Sequence, residues 1–180
     1  MRRPRETLEA FDRFLADRSL RLDAIVIGGA ALNLLGVISR PTKDCDILFP
    51  RLPSEIVAAS IAFARAARND GDLLDDDWLN NGPSSLTKHL RTGWEARLQP
   101  AFTGTALLLR SLGRADLLCA KLRALCDRGL DLADCVALAP TAFELENVLP
   151  WLEAQDAHPH WPEHARATLA DLGTRLGHGV

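Results

Sequence analysis

The sequence predicts an α+β (mixed α/β) fold, in which a small mixed sheet is flanked by helices and followed by a helical C-terminal part. Two short, largely apolar segments, 22–27 and 44–49, are the strand candidates that predict the sheet. Helical periodicity lies on both sides of each segment, and beyond residue 113 it is the main pattern. We therefore expect a core over residues 1–112, including an N-terminal helix, with a helical subdomain over 113–180 packed on it.

The first elements follow from periodicity and from the residues that end them. Leu and Phe recur at helical spacing over residues 5–17, with charged residues between them, which predicts an amphipathic helix. The strand candidate 22–27 ends at Gly28-Gly29, and residues 30–35 then predict a short helix. The alanine-rich segment 54–68 predicts a longer one.

The later elements are a predicted hairpin and a series of helices. Trp94–Leu98 alternates apolar and polar residues, which favours a half-exposed strand. Thr105–Arg110 is its predicted partner, joined through a turn at Thr103-Gly104. The remaining chain predicts helices over 116–128, over 130–138, after a capping box formed by Thr141 and Glu144, and after Pro162.

The composition excludes several classes of protein. Of the 180 residues 47% are hydrophobic and 25% are charged, which is typical of a globular chain and not of a disordered one. The formal net charge of −3 is not that of a strongly basic nucleic-acid binder. No apolar run reaches the length of a membrane span, so we expect a cytoplasmic protein without a membrane partner. The cysteines lack metal-ligand spacing and predict buried, reduced thiols: Cys45, Cys119, Cys126 and Cys135.

Two short motifs carry the chemistry. Gly28-Gly29 lies where a strand turns into a helix, so backbone N–H groups can approach a phosphate without an intervening Cβ. Asp44 and Asp46 alternate along a strand and are expected on one face, with Cys45, Ile47 and Phe49 on the other. Two carboxylates on one face repel each other unless a divalent cation lies between them, and Mg²⁺ prefers carboxylate and phosphate oxygens.

Each motif also has a purely structural interpretation. A Gly-Gly pair after a strand is often only a turn, and an Asp-x-Asp strand is often only a solvated face. The glycines match neither a P-loop nor the dinucleotide-binding fingerprint. The order of the two motifs, with a short helix, Arg40 and Thr42 between them, is much more specific than either motif alone.

These residues resemble the signature of the polymerase-β-like nucleotidyltransferase superfamily. Arg40-x-Thr42-x-Asp44-x-Asp46 is similar to a small bacterial branch of stand-alone domains related to the abortive-infection toxin nucleotidyltransferases. The later run Lys121-Leu122-x-Ala124-x3-Arg128-x2-Asp131-x2-Asp134 is similar to the helical signature of that branch. The resemblance covers about residues 20–140.

The resemblance implies transfer of a nucleoside monophosphate from an NTP to a hydroxyl, with Mg²⁺ or Mn²⁺ as cofactor. It assigns the triphosphate to Gly28 and Gly29, and the metal and catalysis to Asp44 and Asp46. Many superfamily members have a third carboxylate on a neighbouring strand. Glu95 is the first candidate for that role, and a surface Glu paired with Arg97 is the alternative. The Asp75–Asp77 run is the second candidate for the third carboxylate.

Three cations are candidates for the phosphates. Lys121 and Arg128 lie seven residues apart on one helical stripe and are expected to face a cleft, Lys121 in catalysis and Arg128 in nucleotide binding. Arg40 and Thr42, just before the acids, are expected to contact the nucleotide. The structural alternative is ion pairing of Lys121 and Arg128 with Asp116, Asp131 or Asp134, and a structural bridge for Arg40.

The sequence thus predicts a nucleotidyltransferase whose acceptor is RNA (such as tRNA), a protein or a small molecule. The low net charge argues for a protein or a small molecule, because an RNA acceptor needs a basic surface. The alternative is a catalytically weak or inactive binding module, for example in a toxin–antitoxin or phage-defence system with an antitoxin-type partner. A third carboxylate that fails to converge on Asp44 and Asp46 would favour this alternative.

Overall fold

The computed structural model describes residues 4–178, and within them the chain divides into two compact units. The first takes the chain up to Lys88 together with Gly93–Gly113. The second comprises His89–Thr92 and the chain from Arg114 onward. The mixed α/β class predicted from the sequence is confirmed, with the sheet in the first unit and a series of helices in the second.

The first unit is built on a mixed sheet, five-stranded within the described residues, in the order β3-β2-β1-β5-β4. Its strands are β1 (Leu22–Ile27), β2 (Cys45–Phe49), β3 (Leu79–Asn80), β4 (Gln99–Thr103) and β5 (Leu107–Ser111). The central strand β1 pairs antiparallel with β2 and parallel with β5. The outer pairs are parallel for β2–β3 and antiparallel for β4–β5.

The helices of this unit bury one side of the sheet. They are α1 (Pro4–Ala16), α2 (Gly28–Leu34) and α3 (Ser54–Asn69), and α1 contacts α2, α3 and β5. Phe11 of α1 is fully buried, 5.2 Å from the ring of Phe63 and 5.1 Å from that of Trp78. The predictions over 5–17 and 54–68 are therefore confirmed, whereas α2 begins two residues earlier than predicted.

The prediction of a strand over Trp94–Leu98 is wrong. Trp94–Arg97 is a 3-10 helix, and a second one spans Gly82–His89. Gly93 has a φ of 76°, a left-handed conformation that turns the chain tightly before Trp94. Five alternating residues also fit one helical turn, because Trp94 and Leu98 are four apart. The hairpin partner of β5 is the following segment, Gln99–Thr103.

The second unit is helical beyond Gly113. Its helices are α4 (Arg114–Arg128), α5 (Leu132–Leu138), α6 (Ala142–Glu153) and α7 (Trp161–Arg175). The predicted capping box is confirmed: Thr141 and Glu144 exchange side-chain to backbone hydrogen bonds at the start of α6. Pro162 lies in the first turn of α7, where its missing N–H costs nothing.

The cysteines are buried free thiols, as predicted. Burial raises the pKa of both Cys45 and Cys135 to about 12. Neither thiol is therefore a nucleophile at neutral pH, because the reactive species is the thiolate. Among the helices described, none has both the length and the apolar character needed to cross a membrane.

Candidate functional site

Gly28 and Asp46 meet at the carboxyl end of the central strand. Ile27, the last residue of β1, pairs with Asp46 across the β1–β2 ladder. Gly28 follows with a φ of 71°, and a Cβ built on it would lie 2.7 Å from Asp46 Oδ2. Any other residue here would both strain the backbone and collide with the carboxylate. The sequence thus places bare backbone directly against an acid.

The loop between α2 and β2 holds the remaining residues of the motif. The Thr42 hydroxyl donates to the backbone carbonyl of Asp44 at 3.1 Å and lies 3.3 Å from where a Cβ on Gly29 would stand. The side-chain amide of Asn33 donates to the backbone carbonyl of Arg40 at 3.1 Å. The structure therefore brings the Thr42–Asp44 segment against Gly29, with the backbone of Arg40 fixed and its side chain exposed.

The two predicted acids differ in their surroundings. Asp44 is exposed and precedes β2, which begins at Cys45, whereas Asp46 lies within the strand and is half-buried. On the sheet, Asp46 has Ile27 on one side and Asn80 of β3 on the other. Neither neighbour is an acid. Residues 4–178 contain no group of three His, Cys, Asp or Glu side chains placed to hold a metal ion.

The candidates for a third carboxylate lie elsewhere on the first unit. Glu95 is exposed on the 3-10 helix Trp94–Arg97 and not on a strand. Asp76 pairs with Arg68 at 2.5 Å and with Arg65 at 3.2 Å, which attaches the Asp75–Asp77 run to α3. The hydrogen bond from Arg68 is the largest of the effects that hold the pKa of Asp76 below its usual value. The role of Glu95 stays a prediction.

Alternation along β2 predicts that Phe49 points away from Asp46, and this prediction is wrong. Ile25 pairs with Phe49 and Ile27 with Asp46, and between them the register shifts by one residue. This bulge at Leu48 reverses the alternation, so Leu48 is buried and Phe49 is 59% exposed. Phe49 therefore lies on the same sheet face as Asp46. The spacing of residues in the sequence does not reveal this bulge, so it could not have predicted the face on which Phe49 lies.

A cleft lined in part by α1 borders the motif. Leu8 and Trp78 contribute apolar walls, and Thr7, Thr42 and Asp44 contribute polar atoms. The cleft is thus amphipathic and opens next to one of the two motif carboxylates.

The predicted cations lie in the second unit. The Lys121 ammonium is 2.8 Å from Asp131 Oδ1 and 2.7 Å from Asp134 Oδ2, and its side chain is only 11% exposed. Burial disfavours the charged ammonium, but hydrogen bonds to the two carboxylates outweigh this and raise the pKa of Lys121. Arg128 is exposed, with its Nε 3.8 Å from Asp127. The ion pairs of Lys121 match the structural alternative stated above.

One family of known proteins matches this chain. It is described as "Nucleotidyltransferase of unknown function (DUF6036)", and the match covers residues 6–138. The chain belongs to this family. Neither the curated proteins nor the solved structures provide a match to it.

The description of this family names a class of reaction, nucleotidyl transfer. The matched range contains both predicted motifs as well as Lys121, Asp131 and Asp134. It extends from the sheet-bearing unit into α5 of the second unit and ends before α6 and α7.

Proposed function

We propose that this protein is a divalent-metal-dependent nucleotidyltransferase of the polymerase-β-like type, related to the abortive-infection toxin enzymes. The observation that carries the proposal is the approach of Gly28 to Asp46, in a chain whose family is described as nucleotidyltransferase. A glycine with positive φ, held against a carboxylate, leaves backbone N–H groups and a metal ligand close enough to act on one triphosphate.

The donor set fits Mg²⁺ or Mn²⁺ bound together with the nucleotide. Mg²⁺ commonly takes one or two protein carboxylates and completes its coordination with water and substrate phosphates. Asp44 and Asp46 supply such a pair, and no third ligand is placed beside them within residues 4–178. The metal would neutralise charge on the phosphates. We therefore expect it to bind tightly only when the NTP is present.

The roles of the chain's own residues follow from this arrangement. The backbone at Gly28 and Gly29 would hold the β- and γ-phosphates, and Asp44 and Asp46 would hold the metal ion. The acceptor hydroxyl oxygen then bonds to the α-phosphorus, the bond to the bridging oxygen breaks, and pyrophosphate leaves. The hydroxyl proton passes to solvent. Catalysis of this kind is mainly positioning and charge neutralisation.

The test is transfer of label from each α-³²P-labelled NTP in Mg²⁺, with cell extract as acceptor. Asp46→Asn should lower the transfer rate by about 10³-fold, because one metal-ligating charge is lost. Asp17→Asn, an exposed carboxylate at the end of α1, is the matched control and should retain full activity. Equal labelling by the wild type and an Asp44→Asn/Asp46→Asn variant would overturn the proposal.

A second candidate is a nucleotide-binding module with little catalysis, for example the partner of an antitoxin-type protein. It is favoured by one observation, that the positions beside Asp46 on the sheet hold Ile27 and Asn80 and no acid. Binding of an NTP that depends on Asp46, without label transfer to any acceptor fraction, would select this candidate over the enzyme.

A further inference from the structure

Phe49 is an exposed aromatic residue on the face of the sheet that carries Asp46. Ile25 and Ile27 are two residues apart on β1, so their side chains point to the same face. Their partners across the ladder are Phe49 and Asp46. Directly paired residues share a face, so Phe49 and Asp46 also lie on one face, and Phe49 is 59% exposed there.

Gly28, Asp46 and Phe49 lie in this order beside the central strand β1. Gly28 comes directly after Ile27, whose partner is Asp46. Ile25, whose partner is Phe49, lies two residues back along β1, which is about 7 Å in a strand. Phosphates at Gly28, an α-phosphate at Asp46 and a planar group over Phe49 would therefore lie in one line, in the order in which a nucleotide presents them.

A cationic side chain also lies next to Ile25 on this face of the sheet. Ile25 pairs on its other side with Arg110 of β5, so Phe49 and Arg110 flank it on one face. Arg110 is 3.0 Å from Asp23, and both side chains are about half exposed. Ile25 is buried between them, so the Phe49 ring and the Arg110 guanidinium are the accessible groups at this position. Bases stack on aromatic rings and also interact with arginine side chains.

We propose that Phe49 is the residue on which the base of the NTP stacks. The proposal rests on the proposed function, because it takes the phosphates to lie at Gly28 and Asp46. Every base has an aromatic face, so stacking on Phe49 adds affinity for nucleosides without selecting strongly among them. The bulge at Leu48 is then the device that brings the ring to the site.

The experiment measures binding by calorimetry in Mg²⁺, with α,β-methylene NTPs and with inorganic tripolyphosphate, which has no base. Phe49→Leu should weaken the methylene NTPs about 10-fold and leave tripolyphosphate unchanged, because only the stacking contact is lost. Phe49→Trp should restore the affinity. Phe143→Leu is the matched control, since Phe143 is also an exposed aromatic, 71% accessible, at the start of α6.

The possible outcomes separate this proposal from the proposed function. If wild type binds the methylene NTPs in an Asp46-dependent way but Phe49→Leu binds them equally well, the stacking role is wrong. The Thr7→Phe variant fills the cleft beside Asp44. If Thr7→Phe loses affinity and Phe49→Leu does not, the base lies in that cleft and the stacking role of Phe49 is also wrong. If neither the methylene NTPs nor tripolyphosphate bind wild type, the proposed function itself fails.

Discussion

The acids of the predicted motif in the first unit and the charged residues around Lys121 in the second unit differ in their exposure. At the glycine–aspartate edge of the first unit, Asp44 is exposed and Asp46 half-buried beside bare glycine backbone. In the second unit, the buried Lys121 is within 2.8 Å of two carboxylates. In the second unit the cation is enclosed by its two partners, whereas in the first unit both acids are at least partly accessible to a ligand. We infer that the first binds substrate and that the second stabilises the helices.

The largest effect that tests this comparison is the loss of Lys121. Lys121→Met should lower the free energy of unfolding by about 4 kcal/mol, because the carboxylate of Asp134, 1% exposed, would lose its cation. Urea unfolding measures the effect, with the exposed Lys88→Met as control.

A second variant shows whether that loss comes from an uncompensated charge. Lys121→Met/Asp134→Asn should recover part of the stability, because it removes the buried negative charge as well. Should Lys121→Met unfold like wild type and yet abolish label transfer, the comparison breaks, and Lys121 belongs to the catalytic machinery.

The next largest effect on stability is expected at Asp12, a carboxylate whose hydrogen-bond donors lie within the first unit. It accepts backbone hydrogen bonds from Thr105, Ala106 and Leu107 at 2.8–3.1 Å and is 9% exposed. Asp12→Ala should cost about 3 kcal/mol, since these donors lose their acceptor. Urea unfolding measures the loss, and an unchanged midpoint in Asp12→Ala would contradict this account.

The contribution of Asp12 should depend on pH in a definite direction. Burial alone would raise the pKa of this carboxyl, but the three backbone donors hold it below its usual 3.8. A depressed pKa in the folded state contributes stability above the unfolded pKa and loses it as the pH falls through the folded value. The difference between wild type and Asp12→Ala should therefore be full at pH 7 and narrow below pH 3.8. A difference that widens in acid would contradict this account.

The proximity of Gly28 to Asp46 can be predicted from the sequence, because the two motifs are close in the chain and each has a local conformational reason. The backbone at Gly28 needs a positive φ, and the strand containing Asp46 is short and apolar on one side. Simple alternation predicts the wrong face for Phe49, because a bulge reverses the alternation and a bulge depends on pairing with β1. The alternation around Glu95 predicts a strand, but the same spacing also fits a single helical turn, which is the conformation found.

A smaller effect on stability is expected from Gly→Ala substitutions at two glycines that have the same backbone conformation. Gly28 and Gly36 have φ values of 71° and 73°, but a Cβ on Gly36 would have nothing within 4 Å. Both Gly→Ala variants should lose about 1 kcal/mol of stability from left-handed strain. Only Gly28→Ala should also displace Asp46 and weaken binding of the methylene NTPs and of tripolyphosphate. Equal losses of affinity in the two variants would show that strain alone, and not contact with Asp46, governs the site.

The smallest effect concerns strain in the second unit. Ala139, after α5, has a φ of 43°, and Arg114 donates to the neighbouring carbonyl of Leu138 at 2.7 Å. Ala139→Gly should raise the free energy of unfolding by about 0.5–1 kcal/mol, because glycine adopts this conformation without a Cβ clash. The gain should appear as a higher urea midpoint with unchanged label transfer. Reduced transfer in this more stable variant would show that the strained turn serves catalysis, and the second unit would then no longer be only structural.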